Sequence, residues 1–239
     1  MIEAVNLTKG FQNQVVVRGL NLRVAPGEIV GLLGAAGSGK STAIDLFLNL
    51  LKPTSGVSKL GGFDATLQPV ETKKRVGYVP AGMPLYEQLT GAENVRYLGS
   101  LAGFDDLSEE TIRDLFRELG LDAARAAERA GGYDAATRIR VGLGVALARN
   151  AKEFLLDDPT RGLGEGEAQE FLKVVRRLAS GSISGEAAPV LWATQDGELA
   201  AHFDRVGLMA KGKPISWVDV GEMSGSEFAE ACRRHVGAA

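Results

Sequence analysis

The chain has 239 residues, 45% of them hydrophobic, enough apolar surface for one large packed domain or two small ones. Its 27 basic and 30 acidic side chains leave a formal charge of −3, which offers no cationic field to a nucleic-acid backbone or an anionic membrane surface. A single cysteine, Cys232, excludes an internal disulfide framework and reads as a half-buried helix residue. The opening Met-Ile-Glu-Ala-Val-Asn has neither a basic nor an apolar leader region, and no later stretch reaches the ~18 apolar residues of a membrane span.

In chain order, residues 2–7, 20–24 and 28–33 are short apolar runs separated by turn residues such as Pro26-Gly27, which predicts strands. The third run leads directly into GAAGSGKST, Gly34 to Thr42, and an apolar helix is expected from Ala43 to about Leu51, stopped by Pro53. From about Pro84 to Arg140 the pattern is helical. Its clearest part is Ser108 to Leu119, where Ile112, Leu115, Phe116 and Leu119 share a face, and the alanine- and arginine-rich 123–130 also reads as helix. Beyond it a helix (135–149), a strand (153–157), a helix (167–179) and strands at 189–194 and 205–210 are expected. This β/α alternation implies an α/β fold with a mainly parallel sheet covered on both faces.

Within the loop after the third strand, Gly34, Gly39, Lys40 and Ser41 match G-x-x-x-x-G-K-[ST], with Gly37, Ser38 and Thr42 completing the segment. Glycines there let backbone N–H groups close around a β-phosphate. Lys40 is expected to bridge the β- and γ-phosphates and Ser41 to ligate Mg²⁺. A second carboxylate should meet that metal from a neighbouring strand, and Asp157, ending the apolar run Phe154-Leu155-Leu156, is placed to do so. Together these two elements predict a P-loop NTPase fold.

The order of segments then resembles the ABC ATPase family over nearly the whole chain, in particular the branch serving ABC-2 type exporters. The stretches that carry the likeness are NLTKGF, PGEIVGLLGAAGSGKST, KRVGYVP, LYEQLTGAENVRYLGSLAGF and FLLDDPTRGL. The resemblance implies one ATP-binding domain over 1–239. Its RecA-like core, with an N-terminal antiparallel β subdomain, would comprise 1–83 and 141–239, and a helical subdomain would be inserted at 84–140. It further implies ATP and Mg²⁺ as cofactors, with Phe11 stacked on the adenine and Val16 beside it. Residues of about 81–101 would receive a transmembrane permease subunit, which would hold the chain at the cytoplasmic face of the membrane. A second ABC domain, identical or a paralogue, would complete a head-to-tail dimer.

Against that resemblance several positions depart. The family's signature Ser-Gly-Gly falls on Asp134, Ala135 and Ala136, followed by Thr137. The alanines add Cβ atoms where backbone should approach the γ-phosphate of the opposite subunit. Asp134 adds a repelling carboxylate unless Arg138 or Arg140 compensates it. The catalytic glutamate is Asp158, one methylene shorter, and the switch histidine is Gln195, which cannot carry positive charge. The only histidines, His202, about two helical turns beyond Gln195, and His235, in the tail, read as exposed helix residues. The Q-loop glutamine is Ala81, with Gln88 too far along to stand in, and the D-loop aspartate is Gly164.

The expectation is therefore a subunit that binds ATP and hydrolyses it slowly or not at all. An active ATPase of modest turnover and a soluble ABC-type regulator without a permease remain as alternatives.

Overall fold

The computed structural model describes residues 1–101, 103, 107–211, 213, 215–220, 223 and 225–236. Strands β1 (Ile2–Phe11) and β2 (Gln14–Val24) form an antiparallel hairpin whose last pair is Phe11 with Gln14. β4 (Ser55–Leu60) and β5 (Phe63–Asp64) extend it to a four-stranded antiparallel sheet in the order β2-β1-β4-β5. The hairpin strands outrun the apolar runs at 2–7 and 20–24. The added lengths carry Lys9, Gly10, Gln14 and Arg18, and register shifts break the alternation that marks a strand.

The second sheet comprises β3 (Ile29–Leu33), β6 (Val76–Pro80), β7 (Glu153–Asp157), β8 (Val190–Thr194), β9 (Arg205–Leu208) and β10 (Ser216–Asp219). Its order is β10-β9-β3-β8-β7-β6, and every neighbouring pair is parallel except β9 with β10. β3 and β8 are buried along their whole length, which is why they read as unbroken apolar runs. Alternation along the strands separates two cores. Val30, Leu32, Leu155 and Leu191 pack with α1 (Lys40–Phe47) and the antiparallel sheet, while Ile29, Leu33, Phe154, Leu156 and Trp192 face the opposite side. There Trp192, wholly buried, meets Phe171 of α7 (Glu165–Ala179) at 5.6 Å and Phe203 at 5.2 Å between ring centroids.

The remaining helices are α2 (Pro69–Arg75), α3 (Gly91–Ser100), α4 (Glu109–Glu118), α5 (Ala123–Ala127), α6 (Ala135–Ala148), α8 (Gly197–Ala200) and α9 (Gly225–Val236). Side chains of Thr90, Ser108, Asp122 and Asp134 cap α3 to α6 in turn, each accepting a backbone N–H of the first turn. α6 runs unbroken through residue 140, and its glycines admit neighbours closely: a Cβ on Gly142 would lie 2.6 Å from Met83. The helical part thus shares its core with one face of the parallel sheet.

Two helix ends and the placement of His202 also differ from the sequence expectation. The helix after the glycine loop starts at Lys40 and ends at Phe47, because Asn49 turns left-handed at φ 53° well before Pro53. The helix expected over 123–130 ends at Ala127 and is followed by a 3₁₀ turn, Ala130–Gly132. His202 sits in a turn beyond the four-residue α8 rather than two turns along a helix, and is exposed. His235 lies in α9 by its backbone, with its side chain outside the described residues. Cys232 lies in α9, half-buried as expected. Among the described residues no helix is long and apolar enough to cross a membrane.

Candidate nucleotide site

The loop between β3 and α1 leaves no room for side chains at two of its glycines. A Cβ on Gly34 would stand 2.4 Å from the Met209 carbonyl oxygen and 2.6 Å from Ser38 Oγ. At Gly39, which opens α1 at φ 105°, it would stand 2.9 Å from the Val16 carbonyl oxygen. Gly37 has open space but a left-handed φ of 77°. The backbone so wound ends in the N-terminus of α1 and in Lys40, only 6% exposed, whose Nζ donates to the carbonyls of Gly34 (2.7 Å) and Ala35 (2.9 Å). Burial pulls the Lys40 ammonium below the ordinary lysine range, and the carboxylates of Asp158 and Asp157 push it back up. A largely buried ammonium beside a helix N-terminus is a site for an anion. Val16 places β2 against this loop, and Phe11, at the tip of the same hairpin, is 43% exposed with the Lys9 ammonium 4.9 Å from its ring centre. Thr42 follows half-buried in the first turn of α1.

Across the sheet, Ser41 Oγ donates to Asp157 Oδ1 at 3.0 Å. Burial pushes the Asp157 carboxyl above its usual range. Its Ser41 hydrogen bond opposes this, Asp45 and Asp158 add to it, and Lys40 counters it. Asp45, one helical turn beyond Ser41, was legible as its i+4 neighbour but not as a partner of Asp157. Among the described residues no group of three or more His, Cys, Asp or Glu is placed to hold a metal ion by itself. One hydroxyl and one carboxylate are nevertheless the protein donors that Mg²⁺ needs when phosphate oxygens and water supply the rest. The residues present therefore fit a metal–phosphate ligand and not a self-sufficient metal centre.

Next to Asp157 the chain turns sharply. Asp158 takes φ 52°, its N–H donates to the Ala193 carbonyl at 2.8 Å, and its Oδ2 accepts from Gln195 Nε2 at 2.9 Å. The two positions expected to serve hydrolysis thus meet. Ala81, in the Q-loop position, contributes only its backbone, donating to the Asp157 carbonyl at 2.7 Å. Gly164 caps α7, and its N–H donates to Glu167 at 3.1 Å. Its φ of −67° is open to any residue, so the backbone does not require glycine there.

Asp134 stands at the N-terminus of α6, where Oδ1 accepts from the Thr137 N–H at 2.7 Å. Its counter-ion is Arg125, at 3.2 Å from Oδ2, which corrects the expectation of Arg138 or Arg140. Those two lie further along α6 and turn elsewhere, Arg138 to Glu87 and the Ala130 carbonyl, Arg140 to the Ala136 carbonyl. Hydrogen bonds from Thr137, reinforced by Arg125, hold the Asp134 carboxyl below its usual range despite some desolvation. Ala135 is exposed and Ala136 buried, and among the described residues no hydrogen bond joins 134–137 to 34–42. Arg125 had no sequence signal, because it comes from a different helix, nine residues upstream.

The sequence model of the ABC transporter family matches residues 17–161. The chain is 33% identical over 184 residues to the ABC transporter ATP-binding protein NatA of Bacillus subtilis (strain 168), covering 74% of each. It is 30% identical over 227 residues to the daunorubicin/doxorubicin resistance ATP-binding protein DrrA of Streptomyces peucetius, covering 94% of this chain and 67% of DrrA. In fold it is similar to the dimeric ATP-binding cassette MJ0796 in a post-hydrolysis state bound to ADP and Pi. The TM-score is 0.76 at 24% identity, covering 93% of this chain and 100% of that one.

Proposed function

The chain belongs to the ABC transporter family, and on that premise we propose that it is the ATP-binding subunit of an ABC-2 type exporter that holds Mg-ATP and hydrolyses it slowly or not at all. The observation that carries the binding half is the pairing of a buried Lys40 on a glycine-wound loop with Ser41 facing Asp157. In this reading the N–H groups of 37–42 and Lys40 hold the phosphates, Ser41 and Asp157 hold the Mg²⁺, and Phe11 and Val16 flank the adenine. Mg-ATP bound there supplies a γ-phosphoryl group open to in-line attack by water.

Slow turnover follows from what the other positions offer. Asp158 reaches one methylene less far than a glutamate, and a general base must come within ~2.6–3.2 Å of the water it activates. Gln195 fixes Asp158 but brings no positive charge. Asp134 occupies the Thr137 N–H that would otherwise point outward from the α6 N-terminus, and places a carboxylate where the family presents a serine. A head-to-tail partner, identical or paralogous, would therefore receive a poor γ-phosphate contact from this chain.

Docking of a permease is supported by an exposed aromatic pair, Tyr86 and Tyr97, edge-to-face at 4.9 Å, and by Leu101, 67% exposed. Beside them a groove of about 320 Å³ is walled by Met83, Pro84 and Leu98. Through that permease the chain would lie at the cytoplasmic face of a membrane, without nucleic acid as a partner. The Asp158–Gln195 hydrogen bond favours a second reading, an active ATPase of modest turnover, since the pair is already assembled.

Equilibrium binding of ATP tests the binding half. Lys40→Ala should weaken it by about 10²-fold, the loss of charge-assisted phosphate bonds, and Ser41→Ala should remove its dependence on Mg²⁺. Affinity unchanged by both substitutions would overturn the assignment.

A further inference from the structure

A cavity of about 730 Å³ opens between α3, α4 and α5, sharing no residue with the phosphate loop. Its floor is made by the buried side chains of Ile112, Phe116, Leu121 and Ala126, and its rim includes Arg96 and Arg113. The volume is that of a small-molecule site, typically about 300–1,000 Å³. Neither Arg96 nor Arg113 makes a hydrogen bond or ion pair with another described residue, whereas the third rim arginine, Arg117, pairs with Asp114 at 3.0 Å.

Three carboxylates, Glu93, Glu109 and Asp122, also stand on the rim, and Glu93 feels the charge of Arg96. Glu93 accepts the Thr90 N–H at 2.8 Å, and Asp122 accepts the Ala124 N–H at 2.7 Å. Glu109 stands in the first turn of α4, where the helix dipole favours its charge. Over the apolar floor this leaves two guanidinium groups whose N–H donors have no hydrogen-bond acceptor among the described residues, each able to grip a carboxylate or phosphate with paired donors.

We propose that this cavity binds an amphipathic anion, an apolar chain with a carboxylate or phosphate head, the chain on Ile112, Phe116 and Leu121 and the head between Arg96 and Arg113. Its walls pack on α6 at two places, α4 on the C-terminal half and α5 at the N-cap. Phe116 and Leu119 would lie 3.4 and 3.3 Å from a Cβ on Gly144, and Arg125, on α5, holds Asp134. An occupant would therefore rest on helices that pack against α6, α5 among them at the Asp134 cap.

The test is calorimetric titration of the full chain with dodecyl phosphate below its micellar concentration, with dodecyltrimethylammonium and inorganic phosphate as controls. Binding at one site, weakened about tenfold or more by R96E/R113E and by Ala127→Trp at the rim, is the expected result. Both variants alter exposed or half-exposed positions and should keep the parent's thermal unfolding and ATP affinity. Absence of binding, equal binding of the cationic amphiphile, or an affinity untouched by both variants would overturn the proposal. Sedimentation with phosphatidylglycerol vesicles separates the two sources of such a ligand. Arg96- and Arg113-dependent retention on vesicles points to a membrane lipid, and binding of the monomeric amphiphile without retention points to a free anion.

Discussion

On the proposed function, Asp158 combines a shorter reach with a local fit. At φ 52° an aspartate is among the non-glycine residues best tolerated, whereas most L-residues pay about 1–2 kcal/mol in that region. Replacing Asp158 by Glu together with Gln195 by His should therefore raise phosphate release at least tenfold, within the ~10²–10⁴ range of a general base, while lowering stability by about 1 kcal/mol. Stopped-flow phosphate detection and thermal unfolding check the two halves. A rate that does not move would place the defect at Asp134 to Ala136 instead. Lys40 yields a pH prediction. Burial favours its neutral form, and only the ammonium binds phosphate, so ATP affinity should be flat through neutrality. It should fall as pH rises through a value below the ordinary 10.5. Affinity that persists beyond 10.5 would contradict a lowered Lys40 ammonium.

At the scale of elements, the start of α6 depends on a side chain that the sequence comparison marks only as a defect. Asp134 caps the helix, so Asp134→Ala should cost about 1 kcal/mol, or roughly 2–4 °C in Tm for a chain of this size. Asp134→Ser, which keeps an N-cap oxygen, should stay near the parent, and an alanine variant with unchanged Tm would show that the cap contributes nothing. Other elements show how much could be read in advance. α4 and β7 were legible because a shared apolar face in the one and an unbroken apolar run in the other each lie within a single segment. The Phe11–Gln14 hairpin was not, because its register rests on pairing between strands whose polar residues carry no alternation. Likewise the glycine loop 34–42 between a strand and a helix was readable from spacing. Arg125 against Asp134 and Asp45 near Asp157 arise only when separate elements pack together.

Across the whole molecule, the proposed nucleotide cradle on one set of strand ends and the exposed aromatic surface on the helical part can be separated by substitution. Tyr86→Ala with Tyr97→Ala should leave ATP binding intact and abolish co-purification with a membrane permease. Retention of the permease would remove this surface from the docking interface. The claim that binding and hydrolysis have parted in this chain is tested most directly on one purified sample, by ATP affinity with Mg²⁺ and steady-state phosphate release, each beside Lys40→Ala. The account predicts tight, Lys40-dependent binding with release no faster than that of the variant. Clear turnover abolished by Lys40→Ala would contradict it and make Asp158 and Gln195 a working pair.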